Sequence, residues 1–179
     1  MKKELVLVSI KKVQKASLKS FDCGVSVLNE FLSRYAAKND TLGIGKTFVA
    51  LNDDKNIVGY FTLATAQIAF EKIPEDSKTK LPKYPIPALR IARLAVNQSV
   101  QGKGVGKWLL SQAFIKAVQV SDVAGLYFVI VDAKETSKSF YERYGFKKIP
   151  DASLTYLLSI ETIKAAIQSA SITPNGVSA

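Results

Sequence analysis

Two different spacings of apolar residues follow one another along this chain, and each spacing predicts one kind of element. Apolar runs predict strands at residues 5–10, 47–51, 57–70, 89–96, 126–131, 146–149 and 154–158. Apolar residues three and four positions apart predict helices at residues 27–36, 105–118, 135–143 and 160–167. We expect Asp22 or Ser26 to cap the first helix and Ser159 to cap the last. A chain of 179 residues with this pattern is expected to form one domain over residues 1–179.

The segments between these elements carry their own expectations. Residues 11–20 are predicted to be a basic connector, residues 39–46 a turn or short loop, and residues 52–56 a hairpin turn. Residues 71–87 lack periodicity and hold four prolines and four lysines, which predicts a long loop inside the domain. Such a loop is either a binding loop or a solvated excursion. The tail at residues 173–179 is expected to fray.

A glycine-rich turn between the strand at 89–96 and the next helix is a candidate anion site. Residues 101–106 bring free backbone N–H groups and the positive end of a helix dipole to one point. A Walker loop is excluded because Gln101 replaces its first glycine and Trp108 its magnesium-binding hydroxyl. A dinucleotide fingerprint is excluded because Lys107 replaces its last glycine. The alternative is a strand–helix connector that binds no ligand.

Composition narrows the chemistry further. The chain has no histidine and one cysteine, so a Cys/His zinc site and a Cys–His or Ser–His nucleophile are excluded, and no metal site is expected. Cys23 is expected to be a small buried apolar residue rather than a reactive thiol. The net charge of +10 favours polyanionic partners such as nucleic acid, although it also serves solubility. Without a signal peptide or a membrane-spanning run, a soluble cytoplasmic protein is expected.

Four stretches together resemble one enzyme superfamily. The spacing Gln/Arg-x-x-Gly-x-Gly/Ala at residues 101–106 resembles the acyl-coenzyme A pyrophosphate loop of the GNAT acetyltransferases. The F-Y-x-x-x-G-F run at residues 140–146 is similar to the motif that follows the coenzyme-contacting strand in that family. A-R-L-A-V at residues 92–96 is similar to the strand that splays at the acyl-coenzyme site. F-D-C-G at residues 21–24, followed by L-N-E-F-L, resembles a narrower group, the GNAT toxins of bacterial toxin–antitoxin pairs, which acetylate aminoacyl-tRNA.

The resemblance implies an α/β protein of the GNAT fold, with a mixed central β-sheet flanked by helices and a central strand splayed at the acyl-coenzyme A site. It implies acetyl-coenzyme A as the acetyl donor. The residues that it places at the coenzyme are Leu94, Ala95, Val96, Gln101, Gly102, Lys103, Gly104, Val105, Gly106 and Lys134. Lys134 departs from the family, which often has Asn there, so that contact is either lost or made by the backbone. A backbone N–H near Val96 is the expected donor to the oxyanion.

Tyr141 is the expected acid, because the motif places it where the family keeps the tyrosine that protonates the departing thiolate. The alternative is a core aromatic on a helix face beside Phe140 and Phe146. No general base stands out, although Glu71 and Asp132 could be proposed. An α-amino group has a pKa near ~8 and needs less help from a base than a lysine side chain near ~10.4, which mildly favours aminoacyl-tRNA as the acceptor.

The resemblance also implies partners. They are aminoacyl-tRNA, whose acetylation would inhibit translation, and a cognate antitoxin of the ribbon–helix–helix type. A homodimer and no membrane association are expected as well. Candidate tRNA contacts are Arg34, Arg90, Arg93 and Lys83. Two rival functions stay open at this point: an N-acetyltransferase of a small-molecule or protein amine, and a non-enzymatic binding module on the same scaffold.

Overall fold

A computed structural model describes residues 4–151 and 153–172. In these residues, seven strands form a mixed sheet in the spatial order β1-β2-β3-β4-β5-β7-β6. The strands are β1 Val6–Ser9, β2 Lys46–Leu51, β3 Ile57–Ile68, β4 Ile86–Val96, β5 Phe128–Asp132, β6 Lys147–Lys148 and β7 Thr155–Ser159. The β1–β2, β2–β3, β5–β7 and β6–β7 pairs are antiparallel.

Six α-helices accompany the sheet within the described part of the chain. They are α1 Lys15–Lys19, α2 Ser26–Glu30, α3 Ala36–Leu42, α4 Val105–Ser121, α5 Lys138–Arg143 and α6 Ile160–Ile172. A π-helical segment, Phe31–Tyr35, joins α2 to α3, and the amide of Ala36 donates to the carbonyl of Phe31, five residues earlier. Within the described ranges 4–151 and 153–172, no helix has the length and apolar character needed to cross a membrane.

The chain divides into two compact units. The first comprises Met1–Thr65 and Arg90–Ile115, and the second Ala66–Leu89 and Lys116–Ala179. The boundaries fall inside β3, β4 and α4, so these elements contribute residues to both units. The prediction of a single domain over residues 1–179 stays a prediction.

Aromatic packing organises the core of the first unit. The ring of Tyr60 lies 5.4 Å from that of Phe21, edge to face, and 6.3 Å from that of Phe31, stacked. Its hydroxyl donates to the carbonyl of Leu28 at 2.9 Å, which satisfies the one polar atom of a buried ring. Cys23 is buried in the same cluster, as its sequence context predicts. This core holds α2 and the segment before it against the sheet.

The core of the second unit forms around β5 and β7. All but the last residue of β5 are buried apolar residues, as expected of a strand covered on both faces. The long loop at 71–87 contributes to this core, since Ile73 is fully buried and Ile86 already belongs to β4. The loop is therefore not simply a solvated excursion. It contains two 3₁₀ turns, Phe70–Lys72 and Glu75–Ser77.

Several local predictions were wrong. Residues 11–20 are not a connector, because a 3₁₀ turn and α1 occupy them and bury Leu18. Residues 39–42 are the end of α3 and Lys46 begins β2, so the turn predicted at 39–46 is limited to residues 43–45. Neither Asp22 nor Ser26 caps α2, whose cap position is Val25. The strand predicted at 146–149 is reduced to two residues.

Other local predictions are confirmed. The oxygen of Ser159 accepts from the amide of Thr162 at 3.1 Å, so Ser159 caps α6 as expected. The turn at 52–56 joins β2 to β3, and the side chain of Asn52 accepts from the amide of Asn56 at 2.9 Å. The tail predicted to fray, residues 173–179, lies outside the described residues.

Candidate functional site

The glycine-rich loop connects β4 to α4 in the first unit. After Val96 the chain makes a 3₁₀ turn, Gln98–Val100, and the hydrogen bonds of α4 begin where the amide of Trp108 donates to the carbonyl of Gly104 at 3.0 Å. The amides between this turn and Trp108 have no partner within the helix. The amides of Gln101 and Lys103 donate to the carbonyls of Gln98 and Val100, each at 3.4 Å, and the others lie at the positive end of the helix dipole, where an anion is favoured.

Two loop glycines have backbone conformations that other residues rarely adopt. Gly102 has φ +73° and Gly104 has φ +86°, and a Cβ added at either would meet open space. Glycine is thus required by conformation, and the space beside both residues is available to a ligand. Val105, by contrast, is buried and anchors the start of α4 in the core.

The longer side chains of the loop are used within the protein. Nε2 of Gln101 donates to the carbonyls of Val96, at 2.9 Å, and Cys23, at 3.1 Å. Nζ of Lys103 donates to the carbonyl of Ser99 at 2.9 Å. These bonds fix the loop's shape, so the loop offers a ligand mainly its backbone amides.

The strand that leads into this loop is β4. Ala95 is buried, whereas Leu94 and Val96 are half-buried. The amide of Asn97, directly after the strand, donates to the carbonyl of Val58 at 2.9 Å, which holds the end of β4 beside β3. The expected coenzyme residues from Leu94 to Gly106 thus all belong to one continuous segment of the first unit.

Tyr141 lies on α5 in the second unit and is only 6% exposed. Its ring packs edge to face with those of Phe140, at 5.2 Å, and Phe146, at 5.5 Å. Burial raises the pKa of Tyr141 to about 12, so the phenol keeps its proton at neutral pH. The ring is part of the packed core, as the alternative interpretation of the sequence predicts, and the role of Tyr141 as the acid stays a prediction.

Lys134 precedes the turn that leads into α5 and is exposed. Its amide donates to Oγ of Ser137 at 3.1 Å, and its carbonyl accepts from the amide of Ser137 at 2.9 Å. These bonds close the turn before α5 and occupy the backbone of Lys134. A coenzyme contact by Lys134 stays a prediction.

The four candidate tRNA contacts have different environments. Arg34 is exposed and pairs with Glu30 at 2.9 Å, one helical turn earlier. The guanidinium of Arg93 lies over the ring of Phe31, 3.6 Å from the centroid. Arg90 is half-buried on β4, and Lys83 is exposed in the second unit. Arg34, Arg90 and Arg93 belong to the first unit, and the ring of Phe31 gives Arg93 an aromatic platform.

Both suggested bases, Asp132 and Glu71, are exposed. Asp132, at the end of β5, accepts from Oγ1 of Thr155 at 2.7 Å, which is a cross-strand contact. Glu71 lies exposed in a 3₁₀ turn. Among residues 4–151 and 153–172, no group of three or more His, Cys, Asp or Glu side chains is arranged to hold a metal ion.

The residues that hold the loop in place were not predicted from the sequence. The F-D-C-G run contributes Asp22 and the carbonyl of Cys23, and Asn29 and Gln98 bond to Asp22. The F-D-C-G motif indicates the family of the chain, but it does not indicate that these residues contact the loop. Its contact with residues 76 positions away is a property of the fold, and no local pattern reports it.

Comparison with known proteins gives a consistent family. The sequence matches the family described as an acetyltransferase (GNAT) domain over residues 15–155. The "tRNA-acetylating toxin" of Mycobacterium tuberculosis is 31% identical over 149 residues, which are 83% of this chain and 89% of that protein.

Solved structures share the architecture. AtaT complexed with acetyl-methionyl-tRNAfMet superposes with a TM-score of 0.84 at 24% identity, over 92% of this chain and 99% of that one. A mutant AtaT toxin bound to the C-terminus of the antitoxin AtaR and acetyl-CoA superposes with a TM-score of 0.74 at 21% identity, over 91% of this chain and 98% of that one. At these identities the two likenesses establish the fold.

Proposed function

Since this chain belongs to the GNAT acetyltransferase family, we propose that it transfers an acetyl group from acetyl-coenzyme A to the α-amino group of aminoacyl-tRNA. Loss of the free amino group withdraws that aminoacyl-tRNA from elongation, so the protein acts as a toxin that inhibits translation. The observation that carries this proposal is the 31% identity with a tRNA-acetylating toxin over 83% of the chain.

The loop at residues 101–106 holds the pyrophosphate of the coenzyme in this proposal. Amides at the start of α4 donate to the phosphate oxygens, and the open space beside Gly102 and Gly104 admits these oxygens. The backbone of Leu94, Ala95 and Val96 binds the pantetheine arm along the end of β4. Hydrogen bonds from an amide near Val96 stabilise the oxyanion as the amine attacks.

Tyr141 supplies the proton for the leaving group. The amine nitrogen forms a bond to the acetyl carbon, the carbon–sulfur bond breaks, and the thiolate takes the phenolic proton of Tyr141. The amine loses its extra proton to solvent, and the phenolate recovers one from the same source. Burial keeps Tyr141 protonated before the reaction, which is the state that an acid requires.

Two observations support aminoacyl-tRNA as the acceptor. They are the positive net charge of the chain and the low pKa of the acceptor's α-amino group. A net charge of +10 suits a polyanion, and Arg34, Arg90, Arg93 and Lys83 are proposed contacts to tRNA phosphates. The α-amino group of an aminoacyl ester has a pKa below ~8, so enough of it is neutral to react without a dedicated base. A lysine acceptor, with a pKa near ~10.4, would need a base.

Three further features belong to the same proposal. A small antitoxin of the ribbon–helix–helix class covers the basic surface with an acidic or apolar segment. The protein acts as a homodimer, and it acts in the cytoplasm, where aminoacyl-tRNA is found. Sedimentation of the purified chain tests the dimer, since a single species at the monomer mass would contradict it.

The decisive experiment incubates the protein with labelled acetyl-coenzyme A and total aminoacylated tRNA. We expect label in the tRNA fraction that is released by mild alkali together with the amino acid. Deacylated tRNA is the matched control and should take up none. Label found only on small amines or protein lysines would replace this function with the rival acetyltransferase, and failure to bind acetyl-coenzyme A would favour the binding module.

A further inference from the structure

A second segment of the first unit is bonded to the coenzyme loop. The amide of Gln98 donates to the carbonyl of Asp22 at 2.9 Å, and the side chain of Gln101 donates to the carbonyl of Cys23 at 3.1 Å. Both loop residues thus contact one turn at residues 22–24. The two partners of the second bond are 78 positions apart in sequence, so the contact is a joint between distant parts of the chain.

The carboxylate of Asp22 sets the shape of that turn. Its Oδ1 accepts from the amide of Gly24 at 2.8 Å and from Nδ2 of Asn29 at 2.7 Å, and Nε2 of Gln98 lies 3.5 Å away. These bonds, the Gly24 amide first, lower the pKa of Asp22 although the residue is exposed. Oδ1 of Asn29 accepts in turn from the amide of Cys23 at 2.9 Å. The turn is therefore fixed on both sides by side chains.

Gly24 shows how closely the turn and the loop fit. Its φ is +80°, and a Cβ added there would lie 2.6 Å from Nε2 and 3.2 Å from Cδ of Gln98. A side chain at this position would therefore be strained by its backbone and would also push against the residue that begins the loop's 3₁₀ turn.

We propose that Asp22 is a positioning residue for the coenzyme, acting through Gln98 and Gln101 to hold the amides of residues 101–106 in their binding arrangement. This inference rests on the proposed assignment of that loop to the pyrophosphate. Asp22 itself does not contact the ligand. Its effect arises because a loop already ordered in its binding shape loses less conformational freedom when the anion binds.

The test compares two substitutions at Asp22. Asp22→Ala removes the acceptor, and we expect the Kd and KM for acetyl-coenzyme A to rise about 5- to 10-fold, the worth of one or two hydrogen bonds, with kcat changed less than about twofold. Asp22→Asn keeps Oδ1 as an acceptor and should restore most of the affinity. Calorimetry gives the Kd, and initial rates give the split between KM and kcat.

A control and a second variant separate this role from a general loss of stability. Asn52→Ala removes a similar bond, from the amide of Asn56 at 2.9 Å, in a turn that is not bonded to the loop, and should leave the Kd unchanged. Gln98→Ala alters an exposed side chain and should weaken binding about two- to fivefold even if Asp22→Ala fails to fold.

Two results would overturn the proposal. One is folded Asp22→Ala with the parent Kd, even if its Tm is lower, because Asp22 would then serve only stability. The other is Gln98→Ala with the parent Kd. Failure of the loop assignment itself is distinguishable, since Gly104→Glu would then bind acetyl-coenzyme A normally, whatever the Asp22 variants do.

Discussion

The guanidinium carbon of Arg93 lies 3.6 Å from the ring centroid of Phe31. Phe31 is buried and also stacks on Tyr60, so Arg93 is held by the aromatic core of the first unit. A charged side chain in this position has less freedom than one in solvent. It can still present its N–H groups to a phosphate at the edge of the plane.

This relationship predicts unequal effects for two arginines that are both candidates for tRNA binding. Arg93→Ala should lower the free energy of unfolding by about 1 kcal/mol, through loss of the cation–π contact and of packing. Arg34→Ala removes only an exposed ion pair with Glu30 and should change the free energy of unfolding by less than about 0.5 kcal/mol. Urea unfolding of the two variants measures the difference. Equal effects would show that the stacking contributes nothing.

Tyr141→Phe should reduce kcat for acetyl transfer by about 10²–10⁴-fold, the usual effect of a positioned acid. The ring and its contacts with Phe140 and Phe146 are kept, so the fold and the Kd for acetyl-coenzyme A should be nearly unchanged. Rates with aminoacyl-tRNA and calorimetry provide the two measurements.

The matched control for that variant is Tyr144→Phe. Tyr144 lies near the same aromatic group, 5.1 Å from Phe140, but outside the matched tyrosine position. It should retain the parent rate. A folded Tyr141→Phe that acetylates at the parent rate would exclude Tyr141 as the acid.

The pH dependence follows from the raised pKa of Tyr141. Because burial moves that pKa from 10.0 to about 12, the acid remains protonated throughout the range in which the substrate amine loses its proton. The value of kcat/KM should therefore rise with pH through the amine's pKa, at or below ~8, and then stay level to about pH 10. A pH–rate profile corrected for spontaneous ester hydrolysis measures this. A decrease in kcat/KM that begins below about pH 9 would contradict the assignment of Tyr141 as the acid.

Gly104→Glu should abolish binding of acetyl-coenzyme A. The substitution forces a side chain onto a residue with φ +86° and places a negative charge in the open space assigned to the pyrophosphate. Gly43→Glu is a matched control, because Gly43 has φ +76° and also faces open space, at the end of α3. Both variants should lose similar stability, about 1–2 kcal/mol. Only Gly104→Glu should lose the coenzyme, as calorimetry will report.

Asp40 supports the first unit and should be sensitive to substitution. It is buried, accepts from the amide of Thr47 at 3.1 Å, and pairs with Lys46 and Lys11, each at 3.3 Å. Burial raises the pKa of Asp40, but these three partners together outweigh it and leave the pKa below 3.8. Asp40→Asn should therefore cost about 2 kcal/mol at neutral pH.

The sign of the pH effect can be checked with the same variant. A lowered pKa means that the carboxylate's contribution is present above about 3.8 and is lost as pH falls through the folded-state value. The difference between Asp40→Asn and the parent in urea unfolding should shrink toward that pH. Asp76→Asn, at an exposed pair with Lys147, should change stability little at any pH. A stability difference between Asp40→Asn and the parent that is the same in acid would mean that the charge of Asp40 does not contribute to stability.

Features formed by residues adjacent in the chain could be predicted from the sequence, whereas contacts between distant residues could not. The loop at 101–106 could be predicted because glycines, a preceding strand and a following helix are adjacent in the chain. The helix α1 was missed because one buried side chain, Leu18, is too weak a periodic signal in five residues. The joint between Asp22 and Gln98 could not be found, because pairing across 76 positions depends on how the strands between them are arranged.

The π-helical segment Phe31–Tyr35 affects how a deletion would change the rotational position of the residues in α3. Its wider turns admit one residue more than an α-helix of the same height, and each residue turns a helix by about 100°. Deleting one residue here would shorten the sequence by an amount that surface loops often tolerate. At this point it would turn the wide segment into an ordinary α-helical turn of the same height, so α3 would keep its orientation and Asp40 its contacts with Thr47 and Lys46. Natural variants of this chain are therefore expected to lose one residue at 31–35 more readily than within α3 itself, where a deletion rotates the residues that follow by about 100°.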